Sequence, residues 1–189
     1  MRRIGKTKPE SRIKAAIISI GSPYCAQGKS EMESEFIKRR WHRTARGRLK
    51  FELAGIAFAR KNGLTPEDYA RHLWSTGAAK WIGKTAPTAR EYLLKEVEAF
   101  RTLYPEVIFE LAKVSDEETE LIFTQGCLGG WGRNQWTIAR NMGLGKGHVC
   151  RYCRQAFRAW ADQLELLACP EPQTNGTCVL GVSERTRGR

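Results

Sequence analysis

The chain has 189 residues, enough for one ordinary domain with a buried core, and its formal net charge is +12. No run of about 18 consecutive apolar residues occurs, which argues against a membrane-spanning helix. The short apolar stretch near the N-terminus is not followed by the small-residue cleavage site of a secretory signal, so we expect a cytoplasmic protein with no membrane partner. In that compartment the six cysteines are expected to be reduced thiols, metal ligands or catalytic groups rather than disulfides.

The positive charge is unevenly distributed along the chain. Residues 1–50 hold 14 Lys/Arg against 4 Glu, residues 51–184 hold 15 basic against 16 acidic residues, and the tail 185–189 adds three arginines. A basic arm on a near-neutral body indicates contact with nucleic acid or phosphate, or a solubilising leader. Residues 121–161 contain no acidic residue, so this segment is electropositive and suits an anionic small molecule or a phosphate backbone.

The N-terminal region divides into a leader and a helical part. Residues 1–30 mix Lys, Arg, Gly, Ser and Pro without clear periodicity, which predicts a basic, disordered leader. The helical part is predicted over 31–104. Its first helix covers 31–48, with acidic residues at the start and basic residues at the end, an order that complements the helix dipole. An apolar run over 49–62 follows, with Gly63 as its natural stop.

Capping patterns predict where the next two helices begin. Thr65 followed by Pro66 is typical of an N-cap with proline at the first helical position, which predicts a helix over 66–75. Thr88 can cap a second helix that reaches Tyr104. The apolar residues of this helix share one face: Leu93, Val97, Phe100 and Tyr104.

The period of the pattern then changes. Apolar residues alternate with polar ones on either side of a turn at 115–118, which predicts a β-hairpin with one buried face ending near Cys127. The rest is predicted, in chain order, as a helix over 134–143, a longer helix over 146–167, a loop at 170–172 and a strand over 176–182. This order predicts an α+β fold, in which N-terminal helices precede a small antiparallel sheet (hairpin plus C-terminal strand) packed against a helix pair. We expect one domain over 31–184, with 105–184 as its second part, and a basic tail over 185–189.

Four cysteines fall at the edges of different predicted elements: Cys127, Cys150, Cys153 and Cys178. Four soft donors brought together by folding would bind zinc or another thiolate-bound metal. Alternatively, Cys150 in the first turn of its helix is a candidate nucleophile, with His148 as the proton carrier. A third interpretation makes these cysteines small buried side chains of the core.

Large aromatic residues accompany the cysteines in sequence. Trp131, Trp136, Phe157 and Trp160 could wall an apolar ligand pocket, to which Arg151 would bring a positive charge. At helical spacing the same aromatics are also typical of core packing.

Residues 135–154 resemble the helix-turn-helix of DNA-binding proteins. Ala139 stands where two helices would cross, and Gly143 stands in the turn. With the basic N-terminal arm, residues 133–158 would then contact nucleic acid. The second helix would present four side chains to phosphates and base edges: Lys146, His148, Arg151 and Arg154. The alternative is an ordinary helix pair packed on the sheet.

From about Leu49 to Val182 the chain also resembles the L-2-amino-thiazoline-4-carboxylic acid hydrolase-like family, which is related to 4-vinyl-reductase-like small-molecule-binding domains. The pieces that carry the resemblance are Gly63-Leu-Thr-Pro-Glu-Asp-Tyr-Ala-Arg71, Gly126-Cys127, Cys150-Arg-Tyr-Cys153 and Gly176-Thr-Cys178. The family commonly has an Asp three residues after the middle cysteine, where this chain has Cys153. The resemblance implies an α+β ligand-binding fold and hydrolysis of a small cyclic amide-like substrate.

These observations give two predictions for function. The first is a small-molecule-binding protein with a cysteine-lined site, extending to a thiol- or metal-assisted hydrolase of carbon–nitrogen bonds. The alternative is a helix-turn-helix DNA-binding regulator, in which thiols or a metal could sense a signal.

Overall fold

A computed structural model of the chain describes residues 23–105, 107–126 and 132–185. The chain divides into two compact units, residues 1–39 and residues 40–189. The sheet, the packed cores and every candidate site described below belong to the second unit. Across the described residues, no helix is long and apolar enough to cross a membrane.

Helices and a small sheet make up the described residues, so the predicted α+β class is confirmed. The helices are α1 (Pro23–Lys61), α2 (Pro66–Leu73), α3 (Ala78–Ile82), α4 (Ala89–Leu103), α5 (Gly132–Asn141) and α6 (Lys146–Asp162). The strands are β1 (Phe109–Val114), β2 (Glu118–Phe123), β3 (Leu166–Pro172) and β4 (Cys178–Glu184).

Both predicted N-caps are confirmed. The Thr65 hydroxyl accepts a hydrogen bond from the backbone N–H of Asp68 at 3.0 Å and so starts α2. Thr88 and Glu91 form a reciprocal capping box at the start of α4, with bonds of 3.2 and 2.8 Å. These local sequence signals fix helix starts because each satisfies backbone donors that the first turn leaves without partners.

Helix α1 differs from the prediction at both of its predicted boundaries. It begins at Pro23, so the last eight residues of the predicted leader are helical, and it continues past residue 48 without a break. No proline follows Pro23 before the helix ends, and nothing else in the run forces a stop. Leu53 and Ile56 are fully buried and anchor the C-terminal part of the helix to the core. The rest of the predicted leader, residues 1–22, lies outside the described residues.

The sheet has the strand order β1-β2-β4-β3, and each neighbouring pair is antiparallel. The predicted hairpin is confirmed as β1 and β2, and the predicted last strand as β4, displaced by two residues. Along β2 and β4 every second residue is buried, for example Leu121 and Leu180, and this face packs on α4 and α6.

The predicted end of the long helix is wrong. Helix α6 ends at Asp162, and Glu165 adopts a left-handed conformation with φ of 59°, which turns the chain into β3. Strand β3 then occupies an edge of the sheet and contains Pro170 and Pro172, where a loop was predicted. An edge strand tolerates prolines because one side of its backbone needs no ladder bonds. The sheet therefore has four strands among the described residues, one more than predicted.

A short helix, α3, was not predicted at all. It lies between Gly77 and Gly83, both of which have a positive φ, 98° and 76°. Five residues give no usable periodicity in the sequence, so this element is visible only in the folded chain.

Two hydrophobic cores meet along α6. One, which we call the sheet core, packs α4, α6 and the buried face of the sheet around residues such as Phe100 and Leu180. The other, the helical core, packs α1, α2, α5 and α6 around residues such as Leu53 and Val149. The side chain of Phe157 touches both cores.

Candidate functional site

A cavity of about 320 Å³ is lined by side chains from both cores. This volume falls at the lower end of the range of about 300–1,000 Å³ that is typical of small-molecule pockets. Its walls are mainly aromatic, with contributions from Trp74, Trp81, Phe100, Tyr104, Tyr152, Phe157 and Trp160. Four side chains with ionisable groups other than tyrosine also reach the walls: Arg48, Glu52, Glu96 and Cys153.

Helical periodicity explains how three helices supply these walls. Arg48 and Glu52 lie one turn apart on α1, and Glu96 and Phe100 lie one turn apart on α4. The lining residues of α6 fall within 152–160 at spacings of one, three and four, which places them on one face. The cavity therefore forms where three helix faces fail to close completely.

Polar contacts hold α1 against α4 beside the cavity. The indole N–H of Trp41 donates to the carbonyl of Thr102 at 2.7 Å, and the hydroxyl of Tyr104 donates to Glu52 at 3.1 Å. The guanidinium of Arg48 lies 6.0 Å from the centroid of the Tyr104 ring. These contacts tie residues far apart in sequence, and they fix the Glu52 carboxyl at the wall.

Three tryptophans cluster at the wall formed by α3, α6 and the residue after α2. Trp74 meets Trp160 edge to face with ring centroids 5.2 Å apart, and Trp81 lies 5.8 Å from Trp160. A Cβ at Gly77 would lie 3.6 Å from the Trp160 ring, in ordinary van der Waals contact. Gln163 anchors this segment to α6 because its amide donates to the Trp74 carbonyl at 2.7 Å.

The carboxyl of Glu52 belongs to a chain of hydrogen bonds. Tyr152 donates to Glu52 at 3.2 Å, and Trp74 donates to the Tyr152 hydroxyl at 3.1 Å. Burial raises the pKa of Glu52 above its ordinary value, although the hydrogen bond from Tyr104, the charge of Arg48 and the bond from Tyr152 all oppose the rise. This network rigidifies one wall of the cavity and leaves one carboxyl in it.

Glu96 is the second carboxyl, and its environment is poorer in partners. Only 7% of the residue is exposed, and burial raises its pKa to about 7. The interaction with the Tyr92 hydroxyl favours the charged form of Glu96 and opposes part of this rise. A buried carboxyl with so little compensation costs folding free energy, which is a common feature of functional sites.

The cysteines are only partly brought together. Cys153 lines the cavity, and its pKa is raised well above the ordinary value by burial first and then by Cys178 and Cys150. Burial likewise raises the pKa of Cys178 to about 11. None of the described residues form a group of three or more Cys, His, Asp and Glu that could hold a metal ion. Cys127 lies outside the described residues, so a thiolate-bound zinc stays a prediction.

The predicted catalytic pair lies away from the cavity. His148 and Cys150 line an open recess at the start of α6, together with Gly145, Gly147, Arg151 and Arg154. The Nδ1 atom of His148 accepts a hydrogen bond from the Gly145 N–H at 3.0 Å, so the neutral ring carries its proton on Nε2. Partial burial, followed by the charges of Arg60 and Arg151, lowers the pKa of His148. In this arrangement His148 caps α6, and its basic nitrogen is occupied.

The predicted ligand-binding residues do not share one pocket. Trp160 lines the cavity, Arg151 lies at the recess by Cys150, and Trp136 lines a third cleft with Arg140 and Lys146. Trp131 lies outside the described residues. The sequence reasoning missed Glu52, Glu96, Trp74 and Trp81. One signal was available, since Glu96 interrupts the predicted apolar face of α4.

Helices α5 and α6 are joined by a turn where the helix-turn-helix resemblance predicts one. Ala139 is fully buried in the helical core, and Gly143 has a φ of 74° in the turn. The guanidinium of Arg60 donates to the Gly143 carbonyl at 2.8 Å. Helices α1 and α2 support the pair through the helical core, so the support comes from residues far earlier in the chain.

The basic side chains at the start of α6 are exposed, as a nucleic-acid contact would require. Lys146, Arg151 and Arg154 are all exposed, whereas His148 is half-buried. Arg151 pairs with Glu67 of α2 at 3.4 Å, which offsets part of the local positive charge.

No family model, curated protein or solved structure matches this chain. The resemblance to the L-2-amino-thiazoline-4-carboxylic acid hydrolase-like family therefore stays a prediction.

Proposed function

We propose that this protein binds a small molecule in the cavity between its two cores. The observation that carries the proposal is a space of about 320 Å³ whose aromatic walls include two carboxyls with raised pKa values. A packing defect alone would be lined by apolar groups, since burying a carboxyl without need costs folding free energy. An apolar pocket with a few converging polar groups is typical of ligand sites.

Binding is favoured over thiol catalysis at this cavity. The thiol that lines it is Cys153, whose pKa is raised by burial, so the group is protonated and weakly nucleophilic at neutral pH. The predicted pair of Cys150 and His148 opens on a different recess. Thiol- or metal-assisted hydrolysis would therefore need chemistry outside the cavity. We rank this proposal below ligand binding.

The test is to fill the cavity without disturbing the rest of the fold. Ala99 lines the cavity from α4, whereas Leu94 lies on the same helix and is 44% exposed. We expect Ala99→Phe to lower the affinity for a neutral apolar dye such as Nile red by about tenfold or more, because the ring occupies the binding space. The matched variant Leu94→Phe is expected to keep wild-type affinity. Equal affinity in all three proteins would refute binding at the cavity.

A second candidate function is DNA binding, which the exposed basic start of α6 supports. Its residues Lys146 and Arg154 are exposed on the second of two helices joined by a turn, and Ala139 of the first helix is buried. We expect affinity for random duplex DNA to fall steeply with salt and to weaken in the double variant Lys146→Gln/Arg154→Gln. The control Lys80→Gln/Arg90→Gln removes the same charge elsewhere. If both double variants lose affinity equally, the effect is net charge and not a recognition helix.

The charge pattern predicts an anionic ligand, and the basic start of α6 supports this prediction better than the cavity does. The recess by Cys150 and the cleft by Trp136 are bordered by Arg140, Lys146, Arg151 and Arg154. The cavity itself has the opposite character, because its two carboxyls would repel an anion.

A further inference from the structure

The charges that line the cavity do not balance. Arg48 is the one Lys, Arg or His among the described lining residues, whereas Glu52 and Glu96 both contribute carboxyls. Arg48 lies one turn from Glu52, and its charge favours the ionised form of that carboxyl. Glu96 takes part in no ion pair within the described part of the chain. When both carboxyls are ionised, the walls therefore carry one negative charge without a counter-charge.

The position of Glu96 presents this charge to the cavity. The residue is only 7% exposed, yet it lines the cavity. The hydroxyl of its neighbour Tyr92 favours the charged form of Glu96, but no cation does so among the described residues. A largely buried carboxylate without a cation beside it is stabilised strongly by a cationic partner, because the local dielectric constant is low.

The tryptophan part of the lining also suits a positive charge. Trp74, Trp81 and Trp160 meet in edge-to-face and tilted contacts, and all three line the cavity. Indole faces carry negative electrostatic potential and attract ammonium groups, an interaction that strengthens when water is excluded. Carboxylate and tryptophan walls together favour a cation with an apolar body.

We propose that the ligand of this cavity is an organic cation: an apolar body that carries one protonated amine or quaternary ammonium group. This inference rests on the proposed small-molecule function and specifies its ligand class. Glu96 supplies the counter-charge, and the tryptophan rings contact the apolar body or the ammonium methyl groups. A neutral molecule of the same shape would leave Glu96 without a partner, and an anion would face two carboxyls.

Three probes of similar size test the charge preference directly. Benzyltrimethylammonium is a cation, neopentylbenzene is its neutral carbon isostere, and phenylacetate is an anion. Each competes with Nile red on the full chain at pH 8. We expect the cation to bind about tenfold or more tightly than the neutral isostere, and the anion to bind most weakly. In Glu96→Gln the cation should lose about tenfold in affinity, with the neutral isostere almost unchanged.

The control variant is Glu98→Gln, which removes an exposed carboxylate of the same helix and should keep the preference of the wild type. Equal binding of cation and neutral isostere by the wild type would overturn the organic-cation inference, and so would a preference that survives in Glu96→Gln. The proposed function would then still stand, because a ligand enters the cavity. If Ala99→Phe leaves the affinity for Nile red unchanged, the proposed function itself is refuted. The comparison of cation and neutral isostere on the wild-type protein tests the charge preference even if a variant folds poorly.

Discussion

Helix α6 carries two regions of opposite character a few residues apart. Its cavity side presents Cys153 and Trp160 to a space that also holds two carboxyls, whereas its first turns present Lys146 and Arg154 to solvent. The first region is buried and acidic, and the second is exposed and basic. Residues that are neighbours in sequence thus serve different environments, because a helix turns each successive side chain by about 100°.

The two regions of α6 meet within the motif Cys-Arg-Tyr-Cys at 150–153. Cys150 opens on the basic recess, Arg151 points to Glu67, and the last two residues, Tyr152 and Cys153, line the cavity. One four-residue motif therefore divides between the two regions. A function assigned to the motif as a unit would combine groups that the fold separates.

The largest expected effect concerns Glu96. Its pKa is raised from 4.5 to about 7 by burial, so the folded state holds this proton more tightly than the unfolded state does. Its carboxyl therefore costs no stability below about pH 4.5 and lowers stability as pH rises toward 7. We expect Glu96→Gln to be more stable than the wild type at pH 8 by about 3 kcal/mol at most, and nearly equal to it at pH 4.5. Urea denaturation at the two pH values measures the difference.

The exposed Glu98 provides the control for this prediction. Glu98→Gln should keep the pH dependence of the wild type, since that carboxylate is largely in solvent. If the free energy of unfolding changes with pH in the same way in Glu96→Gln and the wild type, the burial of Glu96 is compensated in the folded state. The contrast between the two regions of α6 would then be smaller.

An intermediate loss of stability is expected when the hydroxyl of Tyr152 is removed. Tyr152→Phe removes the group that accepts from Trp74 and donates to Glu52. Because both partners are half-buried, we expect a loss of about 1–2 kcal/mol in the free energy of unfolding. Tyr69 stacks on Tyr152 with ring centroids 5.8 Å apart, and Tyr69→Phe should cost much less. Equal losses of unfolding free energy in the two variants would mean that the hydrogen bonds of Tyr152 do not stabilise the fold.

The smallest effect on stability is expected at the basic region. Lys146→Gln/Arg154→Gln changes only exposed side chains, so the free energy of unfolding should move by no more than about 0.5 kcal/mol. Nile red binding at the cavity should also stay at the wild-type level. A marked loss of either would show that the two regions of α6 are coupled, contrary to the separation described above.

Local signals in the sequence predicted several elements correctly. Thr65 and Thr88 mark helix starts, and the alternation around residues 115–118 marks the hairpin, because each depends on residues a few positions apart. Strand β3 was missed because Leu164, Leu166 and Leu167 continue the apolar pattern of the preceding helix, and periodicity cannot separate a short strand from a helix end.

The candidate site was predicted less well than the fold. The cysteine spacing directed attention to α6, where two of the predicted residues, Cys153 and Trp160, do line the cavity. Glu52 and Glu96 were not recognised because charged residues in helices are usually solvated, and the interruption of the apolar face of α4 by Glu96 was the one local signal. Their position at the wall results from α1 and α4 lining the same cavity, which involves residues 44 positions apart.

By itself, the sequence determined the starts of α2, α4 and α6, the α+β class and the excess of positive charge near the start of α6, because these depend on neighbouring residues. The tertiary structure alone decided which helix faces meet and therefore which side chains lose water. Helical periodicity places Glu96 on a face of α4, but only the packing of α1 and α6 against that face makes it a cavity wall. The chemistry of the site follows from this burial, since an acid and an indole acquire binding properties there that they lack in water.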